Sequence, residues 1–200
     1  MPMANNSLDT SLLDRAIVFA VRAHAGTERR GKGFPYIVHP MEAMEIVATM
    51  TADQELLAAA VLHDTVEDTD VTLEQIRAEF GERVAALVDA ESDRFKEGEP
   101  GEDRWHARKR AALERLAAAP RDVKIVALGD KLSNMRAIAR DYARQGDALW
   151  SLFHAKDPAE HAWRYNALTD ALRELQDTLA FSEFERLVRE VFDEKTGVPR

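Results

Sequence analysis

Seven consecutive apolar residues, Leu56-Leu57-Ala58-Ala59-Ala60-Val61-Leu62, run directly into His63 and Asp64. A stretch this apolar reads as a helix of the protein core. Two polar side chains at the end of a buried helix need partners, because an unpaired buried charge is costly. A bound metal would partner both. The rest of the chain also reads as helix. Leu12, Leu13, Ala16, Ile17, Phe19, Ala20 and Ala23 recur at helical spacing, with Thr10 or Ser11 available as a cap. Gly26 to Pro35 holds three glycines and a proline and reads as a loop. Helices are expected after Pro40, from about Ala52 to Thr65, after Thr72 with Gln75 placed for a capping box, and from Val84 to Val88 beyond a break at Gly81. An exposed loop is expected over 92–103, then helices over Trp105 to Ala119, Val123 to Ile138, 158–178 and 182–194. Alternating β-branched runs are scarce, so the expected fold class is all-α, a helical bundle.

A length of 200 residues with 46% hydrophobic composition suits one domain with a substantial core. The expected organisation is a disordered lead-in over residues 1–9 and a single domain over 10–196. Charged residues make up 32% of the chain, and no apolar run approaches the roughly 18–20 residues of a membrane span. Met1 to Thr10 lacks the basic-then-apolar pattern of a signal peptide, so the expected setting is the cytoplasm, with no membrane partner. The absence of cysteine excludes disulfides, thiolate metal sites and cysteine nucleophiles. A net charge of −9 argues against general nucleic-acid binding, which depends on neutralising phosphates. A small anionic substrate remains compatible where positive charge is concentrated locally.

Asp130 repeats the argument made for His63 and Asp64. It lies in Val123-Lys-Ile-Val-Ala-Leu-Gly-Asp130, largely apolar on one face, where an ionised and unpaired carboxylate would be expensive. The alternative is an outward Asp130 paired with Lys131 or Lys124. His39 sits where the loop enters a helix, just before Pro40, and taken alone reads as an ordinary half-buried histidine with a backbone partner. Jointly, His39, His63, Asp64 and Asp130 can hold one divalent ion, and this nitrogen and oxygen set leaves Mn²⁺, Fe²⁺, Zn²⁺ and Co²⁺ open. His24 and His106 are left outside the shell. Glu67 and Asp68 follow His63 and Asp64 by four residues each, so a continuing helix would put each acid beside a ligand, able to orient or deprotonate an attacking water. The alternative is a solvated acidic turn. Asn134, four residues after Asp130, could bond a substrate sugar or phosphate, or simply face solvent. Arg29, Arg30 and Lys32 form a local positive patch that could clamp phosphate oxygens, or a solvated loop.

These residues resemble a known family. Arg30-Gly-Lys-Gly-Phe-Pro-Tyr-Ile-Val-His39-Pro40, His63-Asp64-Thr-Val-Glu67-Asp68-Thr-Asp-Val-Thr72, Glu79-Phe-Gly81 and Leu128-Gly-Asp130-Lys-Leu-Ser-Asn134-Met-Arg136 are similar to the hydrolase domain of the RelA/SpoT alarmone enzymes, above all to the stand-alone small alarmone hydrolases. The resemblance covers roughly residues 10–180, and no synthetase or regulatory domain is expected to follow. It implies an all-α HD fold with one metal, usually Mn²⁺. It implies His39, His63, Asp64 and Asp130 as ligands, Glu67 and Asp68 as the water-activating pair, and Arg30 and Asn134 as nucleotide contacts. Lys131 and Tyr165 fall near substrate-contacting positions. The implied reaction removes the 3′-pyrophosphate of (p)ppGpp; by their charge, Arg30 and Lys32 are expected to neutralise the departing pyrophosphate.

The sequence also departs from the family pattern. Gly129 stands where the alarmone enzymes usually have alanine, Ala90-Glu91-Ser92-Asp93 replaces a threonine-containing run, and the segment with Leu149-Trp150, His161-Ala-Trp163 and Tyr165 looks like another bacterial branch. These departures leave the substrate open. The rival readings are hydrolysis of another nucleotide, NADPH at its 2′-phosphate or a mononucleotide, and a nucleotide-sensing module without turnover. A plain helical domain without metal is the third. Apolar faces on the last helices would either form a homo-oligomer or close the core.

Overall fold

The computed structural model describes residues 9–92, 102–153 and 155–193. Most of the loop expected at 92–103, most of the lead-in and the end of the expected domain at 194–196 therefore lie outside the described residues, while 102 and 103 already belong to a helix. Among those residues the α-helices are α1 (Ser11–Ala23), α2 (Val38–Ala48), α3 (Gln54–Leu62), α4 (Thr65–Asp68), α5 (Leu73–Phe80), α6 (Glu82–Glu91), α7 (Glu102–Ala118), α8 (Arg121–Gln145), α9 (Pro158–Ala171) and α10 (Leu179–Phe192). Short 3₁₀ segments at Gly146–Leu152 and Arg173–Leu175 link the last three. No strand occurs among the described residues, only an isolated bridge between Glu28 and Pro35, so the fold is all-α.

The core is organised around α3, which is buried from Leu56 through Leu62. A helix with no polar face has to be surrounded, and α1, α2, α6 and α8 pack on it. The apolar stripe of α10, including Phe181, Phe184, Val188 and Phe192, closes the core against α8 and α9. The apolar faces noted on the last helices are thus largely spent inside the molecule. Leu179, at the start of α10, stays exposed.

Several boundaries differ from expectation for local reasons. α2 begins at Val38 rather than after Pro40. A first-turn N–H has no helical partner in any case, so proline is tolerated there, and His39 gains a fixed helical position. α3 starts later than expected, capped by Asp53 accepting from the Glu55 amide at 2.9 Å. It stops at Leu62, and the chain turns at His63-Asp64 before α4. The Asp68 amide still donates to the Asp64 carbonyl at 2.9 Å, so the four-residue relation survives the break. The capping box of Thr72 and Gln75 forms as expected. α9 ends early at Ala171, and Thr178 caps a new helix by accepting from the Phe181 amide at 3.1 Å.

α2 and α8 make the contact that matters most for function. A Cβ on Gly129 would lie 2.7 Å from the Ala43 carbonyl oxygen and 2.7 Å from Val47 Cγ2. Only glycine lets α8 come this close to α2. The alanine of the resembled family would not fit here without a shift. This approach carries Asp130, the next residue, to His39 in the first turn of α2.

Candidate metal centre and its cavity

Three helix ends and one helix middle converge. His39 comes from the first turn of α2, His63 from the end of α3, Asp64 from the turn before α4, and Asp130 from the middle of α8. One ligand atom each of His39, His63 and Asp130 falls within 4.8 Å of the others. His39 Nε2 lies 3.1 Å from Asp130 Oδ1 and 3.4 Å from Asp64 Oδ2. His63 Nε2 lies 2.9 Å from Asp64 Oδ2 and 3.6 Å from Asp130 Oδ1. Both imidazoles and Asp130 are buried.

The outer ring nitrogens fix how these groups face. His63 Nδ1 lies 2.8 Å from the Ala60 carbonyl oxygen, which only accepts, so Nδ1 carries the hydrogen and Nε2 faces the carboxylates with its lone pair. Buried His63 Nε2 makes no hydrogen bond despite its nearness to Asp64, because the geometry is wrong for one. A buried acceptor facing two carboxylates without a shared hydrogen is the arrangement a divalent cation completes. With two imidazoles and two carboxylates converging, these residues fit a divalent metal. Burial alone would raise the Asp64 carboxyl, but its position against the His63 and His39 imidazoles brings it well below the usual range. Asp130 behaves likewise, burial being outweighed by the Lys131 ammonium and both histidines. Tyr36, which the sequence pattern did not single out, donates its hydroxyl to Asp64 Oδ2 at 2.7 Å, and burial together with that carboxylate raises its pKa.

The centre forms one wall of a cavity of about 560 Å³. Glu67 and Asp68 line it together with His63 and Asp64, the residues four positions before them. Asn134 lines it one turn beyond Asp130, and its amide donates to Asp130 Oδ1 at 2.5 Å. Lys131 is also on the wall, but its ammonium is held between carboxylates, 2.5 Å from Asp130 Oδ2 and 3.2 Å from Glu91 Oε2. Burial raises the pKa of Glu91, against the pull of Lys131. Away from the metal centre the wall is apolar, with Leu113, Leu116, Val123 and Leu168, and Lys109, Arg115 and Arg164 stand among them.

Three expected substrate contacts lie elsewhere. Arg30 is exposed and does not line the cavity; its neighbour Arg29 does. Arg29 Nη2 donates to Asn134 Oδ1 at 2.6 Å, and its guanidinium lies 5.2 Å from the Tyr36 ring centre. The loop accounts for the choice. The Arg29 amide donates to the Phe34 carbonyl at 2.9 Å and the Tyr36 amide to the Thr27 carbonyl at 2.8 Å, while Gly31 and Gly33 take positive φ to turn the chain between. Lys32 sits at that turn and pairs with Asp141 of α8 instead of reaching the cavity. Tyr165 is buried with its ring 5.6 Å from that of Phe192, since the next position on a helix faces elsewhere; Arg164 is the α9 residue on the wall. His24, kept out of the shell, packs its ring 4.9 Å from that of Tyr36, and the His106 side chain lies outside the described residues.

The centre's likeness to known proteins extends along most of the chain. The HD domain family pattern matches residues 16–158. A guanosine-3′,5′-bis(diphosphate) 3′-pyrophosphohydrolase of Vibrio cholerae is 39% identical over 130 residues, 63% of this chain and 18% of that protein. A GTP pyrophosphokinase of Streptomyces coelicolor is 39% identical over 136 residues, 66% of this chain and 16% of that one. The chain thus spans less than a fifth of the length of these curated relatives. The structure of a metazoan SpoT ortholog that hydrolyses ppGpp superposes with a TM-score of 0.69, at 22% identity, over 99% of both chains, which shows a shared fold. No helix among the described residues is long and apolar enough to cross a membrane. With the His63-Asp64 pair set at the end of a buried helix, and His39 and Asp130 brought to it by neighbouring helices, the chain belongs to the HD domain family.

Proposed function

We propose that this chain is a metal-dependent phosphohydrolase that removes the 3′-pyrophosphate of (p)ppGpp, leaving GDP or GTP and pyrophosphate. One observation carries the reading. His39, His63, Asp64 and Asp130 share a single cavity with Glu67 and Asp68, and with Arg29 and Asn134 at its edge. The V. cholerae relative is named for this reaction. His39, His63, Asp64 and Asp130 would hold the ion, Mn²⁺ in this proposal, and the proposed setting is the cytoplasm.

A divalent ion supplies Lewis-acid activation of water and phosphate oxygen. Glu67 and Asp68 accept the proton of the attacking water. Its oxygen bonds to the phosphorus attached to the ribose 3′-oxygen, the P–O bond to that oxygen breaks, and the 3′-oxygen leaves with the electron pair and takes up the proton that the Glu67-Asp68 pair had accepted. Arg29 exchanges its bond to Asn134 for the nucleotide, and Arg164, Lys109 and Arg115 offset substrate charge along the apolar wall.

A second reading keeps the chemistry and changes the nucleotide. Glu91 favours it, because a carboxylate on the wall that occupies Lys131 subtracts positive charge from a site meant for a highly charged alarmone. The test is turnover by Mn²⁺-loaded protein on a panel of ppGpp, NADPH and mononucleotides. Pyrophosphate release with preference for ppGpp is the expected outcome. Turnover of another nucleotide alone moves the substrate to the second reading, and metal-bound protein inert on the whole panel overturns the enzyme reading in favour of a sensor.

A further inference from the structure

His39 is held from behind by a series of hydrogen bonds that leaves the metal centre and ends on the last helix. Its Nδ1 lies 2.8 Å from Ser133 Oγ, and the Ser133 hydroxyl donates to Glu42 Oε2 at 2.8 Å. A hydroxyl has one hydrogen. With that hydrogen given to Glu42, Ser133 can only accept from His39. The hydrogen of the ring then sits on Nδ1, and Nε2 keeps its lone pair toward Asp64 and Asp130. Glu42 is held in turn by Arg136, whose Nη1 donates to Oε1 at 3.3 Å. Arg136 itself is clamped by both oxygens of Glu183 on α10, at 2.8 Å from Nε and 2.7 Å from Nη2. Ser133 is 2% exposed, so no water competes for its hydroxyl. Glu183 lies beyond the residues matched by the family pattern, which end at 158.

We infer that Ser133 and Glu42 are positioning residues that hold His39 in its metal-ready tautomer and orientation, and that Arg136, anchored by Glu183, fixes Glu42 from α10. The inference rests on the metal reading of the site. Orienting partners on the far nitrogen of a ligating histidine commonly carry one to two orders of magnitude of metal affinity. A carboxylate at 42 sets the direction of the series because it only accepts. An amide there could donate to Ser133, turn its hydroxyl toward His39 and place the ring hydrogen on Nε2, where it blocks ligation.

The experiment is titration of full-length protein with Mn²⁺ alone, the free ion being read by its electron paramagnetic resonance signal, with thermal melts of the metal-free proteins alongside. S133A is expected to raise the Mn²⁺ Kd roughly 10- to 100-fold with little change in the metal-free melt, and S133T, which restores the hydroxyl, to return most of it. E42Q, nearly isosteric, is expected to weaken binding by about tenfold and carries the same test if the extra methyl of S133T disturbs the packed site. E183Q is expected to give a smaller loss, non-additive with E42Q. Wild-type affinity in both S133A and E42Q overturns the inference. A wild-type protein that takes up no Mn²⁺ is a different result and overturns the metal reading itself.

Discussion

Glu67 and Glu91 are carboxylates on the wall of one cavity, and their surroundings give them different work. Glu67 lines the cavity from α4, beside the residues proposed to hold the ion, and is proposed as the base. E67Q is expected to keep its metal and lose turnover by about 10²- to 10⁴-fold, the usual share of a general base; metal analysis and kcat on the same preparation check it, and full activity would remove Glu67 from that role. Glu91 shares the Lys131 ammonium with Asp130. E91Q removes a negative charge without removing volume, so KM for a polyphosphate nucleotide is expected to fall by up to about tenfold, ~1.4 kcal/mol of binding. An unchanged or raised KM would show that Lys131 is not what Glu91 withholds. The grouping of His63 and Asp64 was legible because an apolar run that closes on a His-Asp pair brings two polar groups to the core together, where they need a partner. Arg29 was not separable from Arg30, because the direction of adjacent residues in a glycine loop is set by backbone angles that composition does not reveal. Ser133 and Glu42 had a readable signal that was missed. Each lies three residues after a ligand, Asp130 and His39, and so on the ligand's side of its helix.

Elements place these side chains, and two of their contacts can be tested directly. G129A puts a methyl against the backbone of α2 at a distance no real Cβ tolerates. It is expected to destabilise the protein by about 1–3 kcal/mol in chemical denaturation and to weaken metal binding as His39 moves off Asp130; a wild-type midpoint would mean the helices separate freely. At the other end of α3, Asp53 caps the helix and meets Arg83, which also bonds Glu55 and Asp122. Burial tends to raise the Asp53 carboxyl, but Arg83 and the helix amides outweigh it and the net shift is downward. A folded-state value below the unfolded one, about 3.9, gives stability that is complete above that pH and lost as pH falls through the folded value. D53A is therefore expected to cost about 1 kcal/mol near neutral pH, and its gap to wild type should narrow below about pH 4. A gap constant down to pH 3 would exclude the charge. Helix identity was readable from periodicity. The break at His63-Asp64 was not, because the apolar pattern runs through Thr65-Val66 and the turn comes from side chains reaching a centre that only the folded molecule assembles.

At the scale of the molecule, metal and fold should be linked. An ion that binds the assembled centre and not the unfolded chain stabilises by about 2.7 kcal/mol at a hundred times its Kd, which for a chain this long raises Tm by roughly 5–10 °C. Chelation should reverse the shift, and a melt indifferent to metal would contradict the convergence of His39, His63, Asp64 and Asp130 on one ion. The same scale gives meaning to the glycine loop, which is tied to α8 at both Asn134 and Asp141 and closed on itself by backbone bonds. Fixing one residue's backbone removes about 1–2 kcal/mol of conformational entropy, and here that ordering is complete once the protein has folded. On the proposed reading, the nucleotide would then meet a loop that these bonds already hold in place. The bond it would have to displace there is that of Arg29 to Asn134, a local exchange of partners in place of the folding of a loop around the ligand.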